Sequence, residues 1–167
     1  MINTLSIRSY TRQTRGHSHG FHQIVLPLRG AINIEVGSYT GKVIPSECVV
    51  VKTNEKHYFS AEENAKFIVV DTDLLPENVL HSSQIVFSIS APLLAFLEFS
   101  ESQLRYQINP EVERLMFDTF YKLLEQQNLF VQYDARIREV VAYIHHNFAK
   151  NLSVEVLADI SCLSATQ

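Results

Sequence analysis

The stretch GHSHGFHQIVLPLRG, residues 16–30, sets His17 and His19 one residue apart and follows them with Gln23. If the stretch is extended, strand alternation aims all three side chains at one face. Neutral imidazoles are good ligands for zinc, nickel, copper or iron, so this face has the chemistry of a transition-metal site. Gln23 speaks against it, because an amide oxygen binds more weakly than a carboxylate and brings no charge to neutralise a cation. Three readings stand side by side: a metal site, a metal-free pocket whose polar groups hold a ligand, and histidines that only fill the structure. His22 has the opposite parity and is expected to face out or pack elsewhere.

No catalytic constellation accompanies these residues, and the chain is not read as an enzyme. Cys48 lies in an apolar run with no neighbour to lower its pKa, which suits a core position better than a nucleophile. There is no glycine-rich phosphate loop, no nucleophile elbow and no carboxylate pair at telling spacing. His81, in a linker, and His145 and His146, on the solvated flank of a helix, read as structural.

The 167 residues suffice for one full domain and a smaller attached piece. A net charge of -4, from 18 acids and 14 bases, gives no broad surface for nucleic acid, so any DNA contact is local or lies outside the chain. The only cysteines, Cys48 and Cys162, are far apart without metal-like spacing, and read as free thiols of a reducing compartment. No apolar run has signal-peptide or transmembrane length, so a cytoplasmic setting without membrane contact is expected.

The elements that position the histidines fall in three zones. Through about residue 75, the runs HQIVLPLRG, AINIEVG, ECVVVKT and KFIVVDTD are short, rich in Val and Ile, and evenly broken by turn residues. That texture predicts antiparallel β packing, a barrel or sandwich, in which Pro27 marks an edge or a bulge. Residues 76–131 turn helical. Ser90 is the expected N-cap of a helix with Pro92 in its first turn, and a second helix runs through PEVERLMFDTFYKLLEQQ with Glu111 and Glu113 at its positive end. Leu93, Leu94, Leu97, Leu115, Met116 and Leu123 form stripes wider than one neighbour usually covers, which predicts a homodimer contact. In the third zone, 132–167, Ile137, Val140, Val141, Ile144 and Phe148 share a helix face, Ser153 opens a shorter helix, and Ser164 stands ready to cap another. Helix, short helix, turn and helix start are the opening of a helix-turn-helix unit.

In this order of parts the chain resembles the AraC/XylS family of bacterial transcription regulators. The most specific piece is RIREVVAYIHHNFAKNLSVEVLADISCLS, in which Leu152, Ser153, Leu157, Ala158, Leu163 and Ser164 hold the family's pattern. Where the family often has glycine at the tight turn, Cys162 stands here, and a non-glycine residue at positive φ costs something. The N-terminal zone is similar to a cupin, a double-stranded β-helix. His17, His19, Gln23 and Gly30 fall on the first cupin motif, with Gln for Glu, and Pro45 and His57 on the second.

The resemblance implies a cupin-like barrel followed by α-helices, an α+β chain ending in a truncated helix-turn-helix. It implies a ligand-responsive regulator, with a small effector or a divalent metal held by His17, His19, Gln23 and His57. Dimerising helices would follow, and promoter DNA would be contacted from Ser164, Ala165, Thr166 and Gln167 onward. The recognition helix would lie past Gln167, so this chain alone is expected not to bind promoter DNA specifically. The competing reading is a metal-dependent cupin enzyme with His17, His19 and His57 as ligands.

Overall fold

The structure is a computed structural model that describes residues 2–9, 16–61, 63–106, 109–129, 135–147 and 151–162. Among the described residues eight strands are formed: β1 (Asn3–Arg8), β2 (His22–Arg29), β3 (Ile32–Val36), β4 (Tyr39–Val43), β5 (Glu47–Val51), β6 (His57–Ala61), β7 (Lys66–Thr72) and β8 (Val86–Ser88). They make a five-stranded sheet in the order β1-β7-β2-β5-β8 and a three-stranded sheet in the order β4-β3-β6, with all pairings antiparallel. The two sheets face each other as a sandwich and do not close into the expected barrel. An isolated bridge between His17 and His57 joins the segment before β2 to the edge of the smaller sheet.

The apolar patterns follow from which faces are covered. Val25, Val49, Val51, Phe67 and Val69 point between the sheets, where they meet Ile32, Ile34, Val36, Val43 and Phe59. Ile24, Leu26, Cys48, Val50, Ile68 and Val70 point the other way, into a second core shared with helices. With both faces buried, β2, β5 and β7 read as nearly continuous apolar runs. The smaller sheet is open to solvent on its outer face, so β3 alternates strictly between buried and exposed residues. Pro27 sits inside a central strand, but pairing with β5 stops at Val25 and the β7 register shifts between Pro27 and Arg29, so it lies at an irregularity in the ladder.

Helices α1 (Glu77–Leu80), α2 (Ala91–Leu104) and α3 (Pro110–Glu125) cover the five-stranded sheet through Val79, Leu93, Leu97, Phe117, Phe120 and Leu124. β8 belongs to that sheet although it lies past residue 75, so the sheet runs across the expected boundary there. Asn109 caps α3 by accepting the Glu111 N–H at 2.7 Å. Ser90 precedes α2 but makes no cap with its own side chain. Instead its N–H donates to Gln127 Oε1 at 2.7 Å and its Oγ accepts from Gln127 Nε2 at 3.1 Å.

Of the six residues expected to meet a second chain, only Leu115 is exposed, at 50%. Leu93, Leu97 and Met116 are buried within their own chain, and Leu94 and Leu123 are partly buried against the same core. Their stripes serve the sheet first, because three helices must cover one whole sheet face.

Helices α4 (Ala135–Asn147) and α5 (Val154–Ser161) pack on each other. Ser153 caps α5, its Oγ accepting the Val156 N–H at 3.3 Å. The helix ends at Cys162, in the left-handed region at φ 53°, which is the tight turn expected there. Leu163, Ser164, Ala165, Thr166 and Gln167 lie outside the described residues, as do Asp134, Phe148 and the side chains of His145 and His146. Among the described residues no helix is long and apolar enough to cross a membrane.

Candidate functional site

His17 and His57 are drawn together by their backbones. The His17 N–H donates to the His57 carbonyl at 3.1 Å and the His57 N–H returns to the His17 carbonyl at 3.0 Å. The strand alternation expected to unite His17 and His19 is absent, since β2 begins only at His22. A backbone bridge and the local chain path gather the histidines instead. His57, fully buried on β6, sits beside Phe59 with ring centroids 4.9 Å apart. His19 stacks on Phe21 at 4.2 Å with the planes 3° apart.

Hydrogen bonds assign the ring protons. His57 Nδ1 lies 2.9 Å from the Glu55 carbonyl and His19 Nδ1 lies 2.7 Å from the Phe21 carbonyl. A carbonyl only accepts, so in the neutral rings both Nδ1 atoms carry the proton and both Nε2 atoms present a lone pair. His17 Nε2 then donates to His57 Nε2, 3.1 Å away. His19 Nε2 is buried and has no hydrogen-bond partner among the described residues. One nitrogen from each of the three rings falls within 4.8 Å of the others. Burial lowers the pKa of His57. The Glu55 carbonyl opposes that shift, while His17 and His19 add to it. The ring is thereby kept in the neutral form that ligates metals.

This arrangement fits a borderline transition-metal ion. The donors are all imidazole nitrogens, two rings are oriented by backbone carbonyls on the far nitrogen, and one lone pair is orphaned in a buried place. His17 would need only to move its proton to Nδ1 to become the third ligand. A metal held there would supply Lewis acidity at positions the protein leaves open.

Gln23 is buried on β2 facing between the sheets, yet its hydrogen bond goes elsewhere: Nε2 donates to Asp71 Oδ1 at 2.7 Å. Asp71 is also paired with Arg8 through its other oxygen. Gln23 Oε1 is buried without a partner. The structure therefore gathers His17, His19 and His57, and sets Gln23 in an Arg8–Asp71–Gln23 chain on the inner face of the larger sheet. Sequence reading missed Arg8 and Asp71. The signal was the alternation in NTLSIR, whose register puts Thr4 opposite Asp71.

The remaining histidines stand apart. His22 Nδ1 accepts the Thr53 N–H at 3.1 Å, and burial, with Lys52 adding, lowers its pKa. His81 is exposed at the end of α1. Cys48 is buried, and desolvation, with Glu47 adding, raises its pKa well above the usual thiol range, as befits a core residue.

Fold and site together define an antiparallel β-sandwich with three converging imidazoles, backed by helices and followed by a capped helix pair. No protein-family model matches the chain. The chain is similar to an uncharacterized HTH-type transcriptional regulator of Bacillus subtilis (strain 168), YobQ, with 24% identity over 154 residues. That match takes in 92% of this chain and 61% of the regulator, so the chain spans less than two thirds of its relative's length. Among solved structures it aligns with the AraC-like transcriptional activator CuxR, over 89% of this chain and 59% of that one, at 15% identity and a TM-score of 0.46. A cupin-2 domain containing protein from Shewanella frigidimarina aligns over 42% of this chain and 70% of its own, at 14% identity and a TM-score of 0.39.

Proposed function

We propose that the chain is the sensory portion of a ligand-responsive transcriptional regulator, with His17, His19 and His57 holding a divalent transition-metal ion in a cupin-like sandwich. The observation that carries the site is the orphaned, buried Nε2 of His19 beside the paired Nε2 atoms of His17 and His57. A small effector would complete the site by reaching the open metal positions. Among the described residues the three histidines gather without a carboxylate beside them.

The helix pair α4 and α5 opens a helix-turn-helix unit, supported by the Ser153 cap, the left-handed turn at Cys162 and the likeness to an HTH-type regulator. Ser164, Ala165, Thr166 and Gln167 would begin the helix that meets promoter DNA. Residues 134–167 carry Arg136, Arg138 and Lys150 against Asp134, Glu139, Glu155 and Asp159, a sum of -1, too few cations to bind phosphates alone. Two copies would pair through the outer side of α3, where Leu115 is exposed, in a reducing cytoplasm that suits the two free thiols. Effector binding would shift the population between two placements of the paired units.

Mobility-shift assays with this chain and with a version extended to the regulator's length test the reading. The extended protein should bind its own promoter region, and a metal chelator should change that affinity. A specific complex formed equally well by the short chain, or one indifferent to chelation and to His57→Ala, contradicts it.

A further inference from the structure

His17 and His19 precede β2, so the ladder of the larger sheet does not hold them. Other bonds fasten their segment. His17 exchanges two backbone bonds with His57, the His19 carbonyl accepts the Asn54 N–H at 2.8 Å, and His22 Nδ1 accepts the Thr53 N–H at 3.1 Å. The last two of these fall on one turn, Lys52-Thr53-Asn54-Glu55, between β5 and β6. Lys56 alone separates that turn from His57, and the Glu55 carbonyl accepts from His57 Nδ1 at 2.9 Å. One turn thus touches both arms of the histidine site.

Glu55 closes the turn twice. Its N–H donates to the Lys52 carbonyl at 3.1 Å, and its Oε2 accepts the Lys52 N–H at 3.0 Å. Asn54 takes the left-handed position, φ 62°, which asparagine tolerates better than most side chains. The β3–β4 hairpin backs the carboxylate, since a Cβ on Gly37 would lie 3.3 Å from Glu55 Oε1. Gly37 follows Val36, which pairs with His57 across β3 and β6. Among the described residues the converging donors are the three imidazoles, so the Glu55 carboxylate is not one of the ligands.

We infer that Glu55 is a positioning residue of the histidine site, acting through the closed turn. The inference rests on reading the three imidazoles as a metal site. With the turn closed, the Glu55 carbonyl is fixed where it keeps the His57 proton on Nδ1, leaving the Nε2 lone pair to face His17. The Asn54 N–H is fixed where it holds the His19 backbone. An open turn would swing the carbonyl away from His57, let its proton settle on either nitrogen, and release His19. Ordering the ligands would then be left to the ion, which weakens its binding.

The test compares Glu55→Ala, Glu55→Gln and Glu55→Asp with the wild-type chain, by Zn²⁺ calorimetry and by long-range proton–nitrogen NMR of the histidine rings. Glutamine keeps an acceptor for the Lys52 N–H and loses the charge, whereas aspartate keeps the charge and loses the reach. Zn²⁺ affinity should stay near wild type in Glu55→Gln and fall about tenfold or more in Glu55→Ala and Glu55→Asp, as for other lost outer-shell partners. In the metal-free chain His57 should show the Nδ1–H tautomer in the wild type and Glu55→Gln, and a mixture in the other two. Should Glu55→Ala fail to fold, Glu55→Asp carries the comparison. Affinity that follows charge, kept in Glu55→Asp and lost in Glu55→Gln, overturns the inference. So does Glu55→Ala with affinity and tautomer both unchanged. If the wild type binds no Zn²⁺, the metal reading fails, and the tautomers still decide whether Glu55 sets the His57 ring.

Discussion

Replacing Gln127 with alanine should cost the helical layer far more than its position after a helix end suggests. Gln127 is 7% exposed, and its carboxamide makes three hydrogen bonds. Oε1 accepts the Ser90 N–H at 2.7 Å, while Nε2 donates to Ser90 Oγ at 3.1 Å and to the Leu123 carbonyl at 2.5 Å. The side chain thus ties the start of α2 to the end of α3. At a net of about 1 kcal/mol for each bond, Gln127→Ala loses about 3 kcal/mol. Water reaching the exposed Ser90 reduces this, so about 2–3 kcal/mol is expected. For a chain of this size, each 1 kcal/mol shifts the melting temperature by about 2–4 °C, which predicts a fall of about 4–12 °C. Urea and thermal unfolding of the wild type and the variant measure it. A control is Thr119→Ala, whose exposed hydroxyl bonds only the Leu115 carbonyl of its own helix and should cost under about 0.5 kcal/mol. If the two variants are equally stable, the carboxamide does not join the helices as described.

Two further outcomes follow from placement and charge. Leu115→Asp, at an exposed site, should leave a folded chain and abolish any dimer seen by sedimentation, whereas Leu97→Asp, at 0% exposure, should unfold the chain; a folded Leu97→Asp variant contradicts the core assignment. Burial holds the His22 pKa below its unfolded value of 6.5, so on acidification the unfolded chain takes up the proton first. Stability should be level above about pH 6.5 and fall below it, and His22→Asn should reduce that slope in urea midpoints; equal slopes refute the assignment.

Much of the fold was legible because both faces of the larger sheet are covered. The runs around Val25, Val50 and Val69 had to be strands, since continuous Val and Ile over so few residues suits little else. β1, β4, β6 and β8 were not singled out, because NTLSIR, YTGKV and HYFSA mix polar with apolar residues at an open or edge position, and VFS is very short. Wide apolar stripes on α2 and α3 suggested a partner chain, but periodicity cannot tell a second protomer from the molecule's own sheet. The tight turn at Cys162 was expected from the family resemblance, and the backbone there is left-handed even without glycine.

His17 and His19 were identified by type and spacing and His57 by the cupin resemblance, yet the mechanism that gathers them was not visible. Parity on a strand was the expected cause, whereas a bridge across forty residues between His17 and His57 is the actual one. Gln23 shares the inner face, but Asp71 claims its amide, a pairing that depends on β2 lying beside β7. Long-range register of this kind has no local signature.

The central claim, that three imidazoles form one metal site, is tested most directly by titrating the purified chain with Zn²⁺ in a calorimeter. One equivalent should bind, and a ligand concentration 100-fold above the dissociation constant should stabilise the fold by about 2.7 kcal/mol. His19→Ala, which removes the unpartnered nitrogen, should abolish that binding, while His22→Asn and His81→Ala should leave it unchanged. Absence of binding, or binding that survives His19→Ala and His57→Ala together, contradicts the account.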